Sequence, residues 1–149
     1  MDKIDAKIIE LLAEKGDITA TEISEKIHFS VPAVNKRIRA LKNEGVIKSF
    51  TVITDNKAVG KPIMAFIFIL LKSIEEAASF FEYVNADSDV LECYGITGEY
   101  DCILKVSASS VEDLDAKLSL LKTHTGVVKT HTMLSLTTHK YEPAVLPSF

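Results

Sequence analysis

The sequence predicts an α+β chain, with three short helices over its first third and a β-α-β-β-α-β succession after them. Two observations carry that reading. Apolar residues recur at helical spacing, between capping signals, as far as Gly45. Beyond Gly45 the period falls from 3.6 to 2, and strand-like and helix-like stretches alternate to about residue 142. The 149 residues thereby divide into two very small domains, 1–48 and 62–149, with a linker over 49–61.

In the first domain, Asp5 to Lys15 carries Ile8, Leu11 and Leu12 on one face, with Ile4 a turn earlier, and Gly16-Asp17 ends it. Thr19-Ala20-Thr21-Glu22 fits a capping box and opens a second helix, striped by Ile23 and Ile27 and running to His28. Ser30 is a good N-cap for a third helix, and Pro32 sits in its first turn, where a missing N–H costs nothing. That helix buries Val34, Ile38 and Leu41 and stops at Gly45. Val46 to Ile53 alternates like a strand, the wing or exit ribbon of the module.

In the second domain, Ile63–Lys72 reads as a strand. Ile74–Asn85 reads as a helix burying Ala77, Ala78, Phe81 and Val84. Val90–Thr97 and Tyr100–Ala108 are strands joined tightly at Gly98-Glu99, a hairpin signal. A helix from Ser110 to about Lys122 presents Leu114, Leu118 and Leu121, and Val127–Tyr141 is a long final strand. The order is that of a ferredoxin-like sandwich.

Composition excludes several classes. A chain that is 47% hydrophobic is not disordered. The charged start, Met1 to Asp5, is no signal peptide, and the longest apolar run, Ile63 to Leu71, is far short of the ~20 residues that span a bilayer. No membrane partner and a cytoplasmic setting are expected. Cys93 and Cys102 lack a CxxC spacing and make no disulfide framework. His28, His124, His131 and His139 are scattered, and no phosphate loop, HExxH or nucleophile elbow is present. No cofactor, metal or catalytic residue is expected.

The net charge of −4 argues at first against a nucleic-acid partner. Its distribution reverses the argument. Residues 30–50 carry Lys36, Arg37, Arg39, Lys42 and Lys48 against Glu44 alone, a net of +4, while 51–149 is acidic. With Val34 at the centre of the buried face, Lys36 and Arg39 point outward, Asn35 and Lys42 lie on one flank and Arg37 on the other. A basic helix behind a capped helix and a sharp turn is the pattern of a winged helix-turn-helix that binds double-stranded DNA. Arg and Lys meet phosphates or guanine, and Asn suits adenine. The candidate DNA-contacting residues are Ser30 and Pro32 at the helix start, Asn35, Lys36, Arg37, Arg39 and Lys42 along it, and Lys48 beyond it. A solvated face that only keeps the domain soluble is the alternative.

Ile63–Leu71 is apolar on both of its alternating faces, and helices on one side of a sheet cover only one of them. A second copy's sheet is the simplest cover and predicts a two-fold homodimer. Alternatively the chain's own tail, through Val145 and Leu146, covers part of that face. Gly95-Ile96-Thr97-Gly98-Glu99-Tyr100-Asp101 concentrates glycine, hydroxyl and carboxylate at a hairpin tip. Such groups suit a free amino acid, since open N–H groups bind a carboxylate and an Asp pairs with an ammonium. A plain turn is the alternative.

Three stretches carry a resemblance: Ile4-Asp5-Ala6-Lys7-Ile8-Ile9, the run Arg37 to Ile47, and Thr97-Gly98-Glu99-Tyr100-Asp101 with Leu104-Lys105-Val106. Over nearly its whole length the chain resembles the leucine-responsive/asparagine-responsive (Lrp/AsnC) family of transcription regulators. The resemblance implies an N-terminal winged helix-turn-helix and a C-terminal effector-sensing sandwich. It also implies sheet-to-sheet dimers that assemble further, up to octamers, and a small effector, usually an amino acid, in clefts between sensing domains. Carried to this sequence, Gly98, Glu99, Tyr100 and Asp101 become the effector candidates, with Thr123, Thr125 and Gly126 from a neighbouring loop. Cys102 stands where many members have an aromatic residue. Two rivals remain: an effector-independent architectural DNA-binding protein, and an enzyme resembling the sirohaem decarboxylases. The latter sits poorly with residues 62–149, which contain no Arg.

Overall fold

A computed structural model describes residues 1–148. They form two units, Met1–Ile53 with the tail from Lys140 onward, and Thr54–His139. The tail thus groups with the helical unit, not with the sheet. Val145 is 95% exposed and Leu146 53%.

The helical unit holds α1 (Lys3–Glu14), α2 (Ala20–Ile27) and α3 (Val31–Asn43). Each starts where a side chain can satisfy free amides: Asp2 caps α1, Thr19 caps α2 in a capping box with Glu22, and Ser30 caps α3. Ile8, Leu11, Ile18, Ile23, Val34 and Leu41 close one buried cluster. Past α3, Gly45 adopts φ +73°, a left-handed turn that suits glycine and ends the helix.

The alternating run after Gly45 forms no strand. Residues 48–55 lack regular structure, with Phe50, Val52 and Ile53 exposed. Alternation supplies the side-chain pattern of a strand, but a strand also needs a partner for its backbone amides and carbonyls. None of the described strands pairs with it.

The sheet unit contains β1 (Ile63–Leu71), α4 (Ile74–Ala86), β2 (Val90–Gly95), β3 (Cys102–Ala108), α5 (Val111–Thr123) and β4 (Val127–Leu134). The sheet order is β2-β3-β1-β4, and every pairing is antiparallel. β1 pairs with β3 through Ile67↔Leu104 and with β4 through Phe68↔His131. Three expectations are corrected. The β2–β3 connection is a six-residue loop, 96–101, closed by Ile96 N–H donating to the Asp101 carbonyl at 3.0 Å. The final strand ends at Leu134 instead of Tyr141, because β1, its one partner, begins at Ile63 and pairs with it no further than Ala65↔Leu134. The buried ring of α4 is Phe80, not Phe81, because the helix is rotated toward Phe80 and Val84.

Ala65, Ile67 and Ile69 of β1 are fully buried beneath the helices. There Ile67 and Ile69 join Phe80, Val84, Cys102, Leu104, Val106 and Leu121 in the core. On the opposite face Met64, Phe66, Phe68 and Leu70 remain only half-buried. Cys93 and Cys102 are both free, and burial pushes the Cys102 thiol up to about 12. Asp89 fastens two segments by accepting from Lys61 Nζ at 2.5 Å and Lys117 Nζ at 2.6 Å. Those ammoniums, Lys117 first, hold its carboxyl below the usual range.

Phe80→Ala should cost the sheet unit about 3–5 kcal/mol in urea denaturation. Phe81→Ala, whose ring is already 36% exposed, should cost less than half as much. The reverse order would put the wrong ring in the core.

Candidate DNA-reading helix and effector loop

The α2–α3 connection is tight. His28 adopts φ 57°, an uncommon left-handed conformation for a residue with a Cβ, and its N–H closes on the Ser24 carbonyl. Phe29 follows, then Ser30, whose hydroxyl accepts from Ala33 N–H, with Pro32 in the first turn. Along α3, Asn35, Lys36, Arg39 and Lys42 are exposed, as is Lys48 beyond it. Lys36, Arg39 and Lys48 make no ion pair among the described residues. Lys42 Nζ lies 5.5 Å above the Phe50 ring, a cation–π contact.

Arg37 departs from the expectation that it faces DNA. Its Nη1 donates to Asp2 Oδ2 at 2.9 Å and to Asp5 Oδ1 at 2.7 Å, and its guanidinium carbon lies 5.7 Å from the Phe29 ring centre. Asp5, then Asp2, pushes the Arg37 pKa up further. Two carboxylates surround one cation, so the guanidinium is neutralised inside the unit. The sequence shows Asp5 only as a helix start and Asp2 only as part of a charged first stretch. Their service to a residue more than thirty positions away has no local signal.

The proposed effector residues separate into distinct environments. Gly98, at the loop tip, takes φ +122°, which a side chain would oppose. Asp101 turns back onto β1: its Oδ2 accepts from Leu71 N–H at 2.7 Å, and its own N–H donates to the Ile69 carbonyl at 2.9 Å. From the other side, the Gly126 carbonyl accepts from Lys72 N–H at 2.9 Å. Loop 96–101 and the α5–β4 turn therefore flank the end of β1. Gly126 fits closely there, since a Cβ on it would lie 3.2 Å from Glu76. Thr123 Oγ1 is spent on the Leu120 carbonyl, and Thr125 is exposed.

Glu99 and Tyr100 lie instead along the open face of the sheet. Glu99 Oε1 accepts from Lys129 Nζ at 2.8 Å, and that ammonium keeps the Glu99 carboxyl below its ordinary range. The Tyr100 ring packs 5.6 Å from Phe68 and stacks 6.2 Å from His131. Phe68, Glu99, Tyr100, His131 and Met133 line a shallow cavity of about 310 Å³. Sequence reasoning missed Lys129, His131 and Met133 here. Their shared parity on the last strand was the available signal. Another residue escaped notice: Glu76 Oε2 is enclosed without a hydrogen-bond partner among the described residues. Among those residues, no cluster of His, Cys, Asp and Glu is placed to hold a metal, and no helix is long and apolar enough to cross a membrane.

The chain thus has a three-helix unit with an exposed basic third helix and a four-stranded antiparallel sheet covered by two helices, the architecture of a DNA-binding module with a ligand-binding domain. Residues 1–48 match the winged helix-turn-helix DNA-binding family, and residues 64–145 match the Lrp/AsnC ligand binding domain. The chain belongs to the Lrp/AsnC family of transcription regulators. The HTH-type transcriptional regulator FL11 of Pyrococcus horikoshii is 37% identical over 99% of this chain and 96% of its own. LrpC of Bacillus subtilis is 30% identical over 91% of this chain and 92% of its own. A transcriptional regulator from Neisseria meningitidis, solved as a complex with L-Met, superposes with a TM-score of 0.92 at 25% identity, covering 97% of this chain and 96% of that one.

The capping box of α2 has a pH signature. The Thr19 backbone amide, then Lys15 and the Thr19 hydroxyl, lower the Glu22 pKa from 4.5 to about 2. A depressed folded-state value means that the stabilisation is present above the unfolded pKa and lost as pH falls through the folded one. Glu22→Gln should therefore flatten the acid limb of the helical unit's stability between pH 4.5 and about 2, followed by circular dichroism. An unchanged acid limb would show that Glu22 contributes nothing to it.

Proposed function

We propose that this regulator reads DNA through α3 and that its DNA binding or assembly is tuned by a small effector, an amino acid, held at loop 96–101. The reading operates in the cytoplasm, on a homodimer or a larger assembly such as an octamer. The observation that carries it is the exposure of Lys36 and Arg39, without ion pairs among the described residues, on the one strongly basic segment of an acidic chain. Lys36, Arg39, Lys42 and Lys48 meet phosphates or base edges, Asn35 suits adenine, and Ser30 and Pro32 bring the helix start to the groove. Arg37 enters this reading only from inside the fold.

Support for the effector comes from the loop and from a relative. Thr97, Gly98, Glu99 and Thr125 are exposed, and they lie with Asp101 near the end of β1. The Neisseria relative was solved with L-Met. An amino acid offers a carboxylate for open loop amides and an ammonium for a carboxylate. The half-buried row Met64, Phe66, Phe68 and Leu70, with Met133 51% exposed beside it, supports sheet-to-sheet pairing of two copies. Two recognition helices on one two-fold axis suit a palindromic site.

Lys36→Ala with Arg39→Ala should weaken duplex binding and reduce the log–log salt slope by about 0.9 for each phosphate that is no longer neutralised. An unchanged affinity and slope in fluorescence titrations would remove α3 from the groove.

Asp101→Asn can keep the bond from Leu71 N–H while discarding the charge. It should abolish the thermal shift given by a panel of the standard amino acids and leave DNA affinity intact. A shift that persists in this variant would exclude the carboxylate from recognition.

A further inference from the structure

Arg37 joins three parts of the helical unit. Its guanidinium reaches the start of α1 through Asp2 and Asp5, and it packs against Phe29 in the turn that leads into α3. The two carboxylates are held in advance. Asp2 Oδ1 accepts from the amides of Ile4 and Asp5, both at 2.9 Å, and Asp5 Oδ2 accepts from Asp2 N–H at 2.8 Å. Each acid thus uses one oxygen to cap its own helix and presents the other to Arg37. The Asp5 side chain is only 14% exposed and that of Arg37 30%. A charge-assisted pair in this setting has fixed geometry, unlike a pair between two mobile surface side chains.

In the core α3 is held by aliphatic side chains, Val34 and Leu41 with Ile38 beside them, and its last turn adds the Lys42 contact with Phe50. Apolar packing holds a helix down but is non-directional, and it tolerates rotation about the helix axis better than two directed charge-assisted hydrogen bonds do. Arg37 lies between Lys36 and Arg39 in the sequence, so fixing its direction fixes theirs.

We propose that Asp5, assisted by Asp2, is a positioning residue for DNA recognition: through Arg37, the capping box of α1 sets the rotation of α3 and so aims Lys36 and Arg39 at the groove. The inference rests on α3 being the reading helix. It makes Arg37 a strut and not a phosphate ligand, and it gives the acidic start of α1 a part in specificity. The carboxylates stand beside the cation that a phosphate would otherwise seek, so a DNA backbone approaching Arg37 would have to displace both of them.

The test uses the full chain and two duplexes of equal length, one selected by the wild-type protein from a random library and one scrambled. Binding is measured by fluorescence anisotropy over a salt series for Asp5→Asn, Arg37→Gln and the exchanged pair D5R/R37D. Asp5→Asn and Arg37→Gln should each lose about tenfold in affinity for the selected duplex, the scale of one charge-assisted bond. Affinity for the scrambled duplex and the salt slope should not change, and the exchanged pair should recover most of the loss. A slope lower by about 0.9 in Arg37→Gln would show that Arg37 neutralises a phosphate and overturn the proposal. Tighter binding of both duplexes by Asp5→Asn would overturn it too, by making the acids mere repellents. Where a single variant melts below the assay temperature, the exchanged pair decides: folded and selective supports the proposal, folded and unselective ends it. Lys36→Ala with Arg39→Ala, run alongside, separates the two failures, since an unchanged slope there removes α3 as the reading helix whatever Asp5 does.

Discussion

The central strand of the sheet is apolar on both faces, and much of the sheet unit follows from that constraint. Ile67 and Ile69 require cover on one side, and α4 and α5 provide it with Phe80, Val84 and Leu121. Phe66 and Phe68 require it on the other, where the described residues leave them half-buried. Loop 96–101 is built onto this second face, because the Tyr100 ring rests on Phe68 and His131 and Glu99 is paired with Lys129. Loop and face share side chains, so neither can be rearranged without moving the other. Under the proposed function, that sharing would let a small ligand at the loop bear on how two sheets meet.

Charge is organised differently in the helical unit. The basic segment appears in sequence as five cations of one kind, but the fold divides them. Arg37 is consumed by Asp2 and Asp5, and Lys42 is held over Phe50, which leaves Lys36, Arg39 and Lys48 without ion pairs among the described residues. A local count of cations therefore overstates what a phosphate would meet. Three-dimensional pairing decides which positive charges belong to the surface field and which belong to the scaffold.

Local rules made much of the fold legible. Thr and Ser caps, Gly45 and the change of period place the helices and the first three strands of the sheet to within a residue or two, because these signals act over single turns. Failures came where the deciding partner lies far along the chain. Val46 to Ile53 alternates correctly but finds no ladder, and the final strand stops near the start of β1. Phe80 and Phe81 are adjacent, so a small rotation of α4, set by its seat on the sheet, exchanges them. Glycine and carboxylates mark loop 96–101 in the sequence as a candidate site. The turning of Asp101 onto Leu71 N–H, and of Glu99 and Tyr100 onto the open face, has no such mark, since each depends on a strand distant in sequence.

The register of β1 also bears on the order in which the protein assembles. In the helical unit, α1, α2 and α3 succeed one another within a few dozen residues, so they can pack as soon as they leave the ribosome. β1 leaves next, yet it pairs with β3 through Ile67↔Leu104 and with β4 only through residues such as Phe68↔His131 near the end of the unit. Closing such long loops slows folding. Throughout that interval the nascent chain carries a nine-residue apolar strand with open backbone groups on both edges. Such a segment is prone to aggregation before its partners arrive. The two-sided apolarity that suits β1 to the middle of the sheet thus makes it the segment most in need of protection during synthesis.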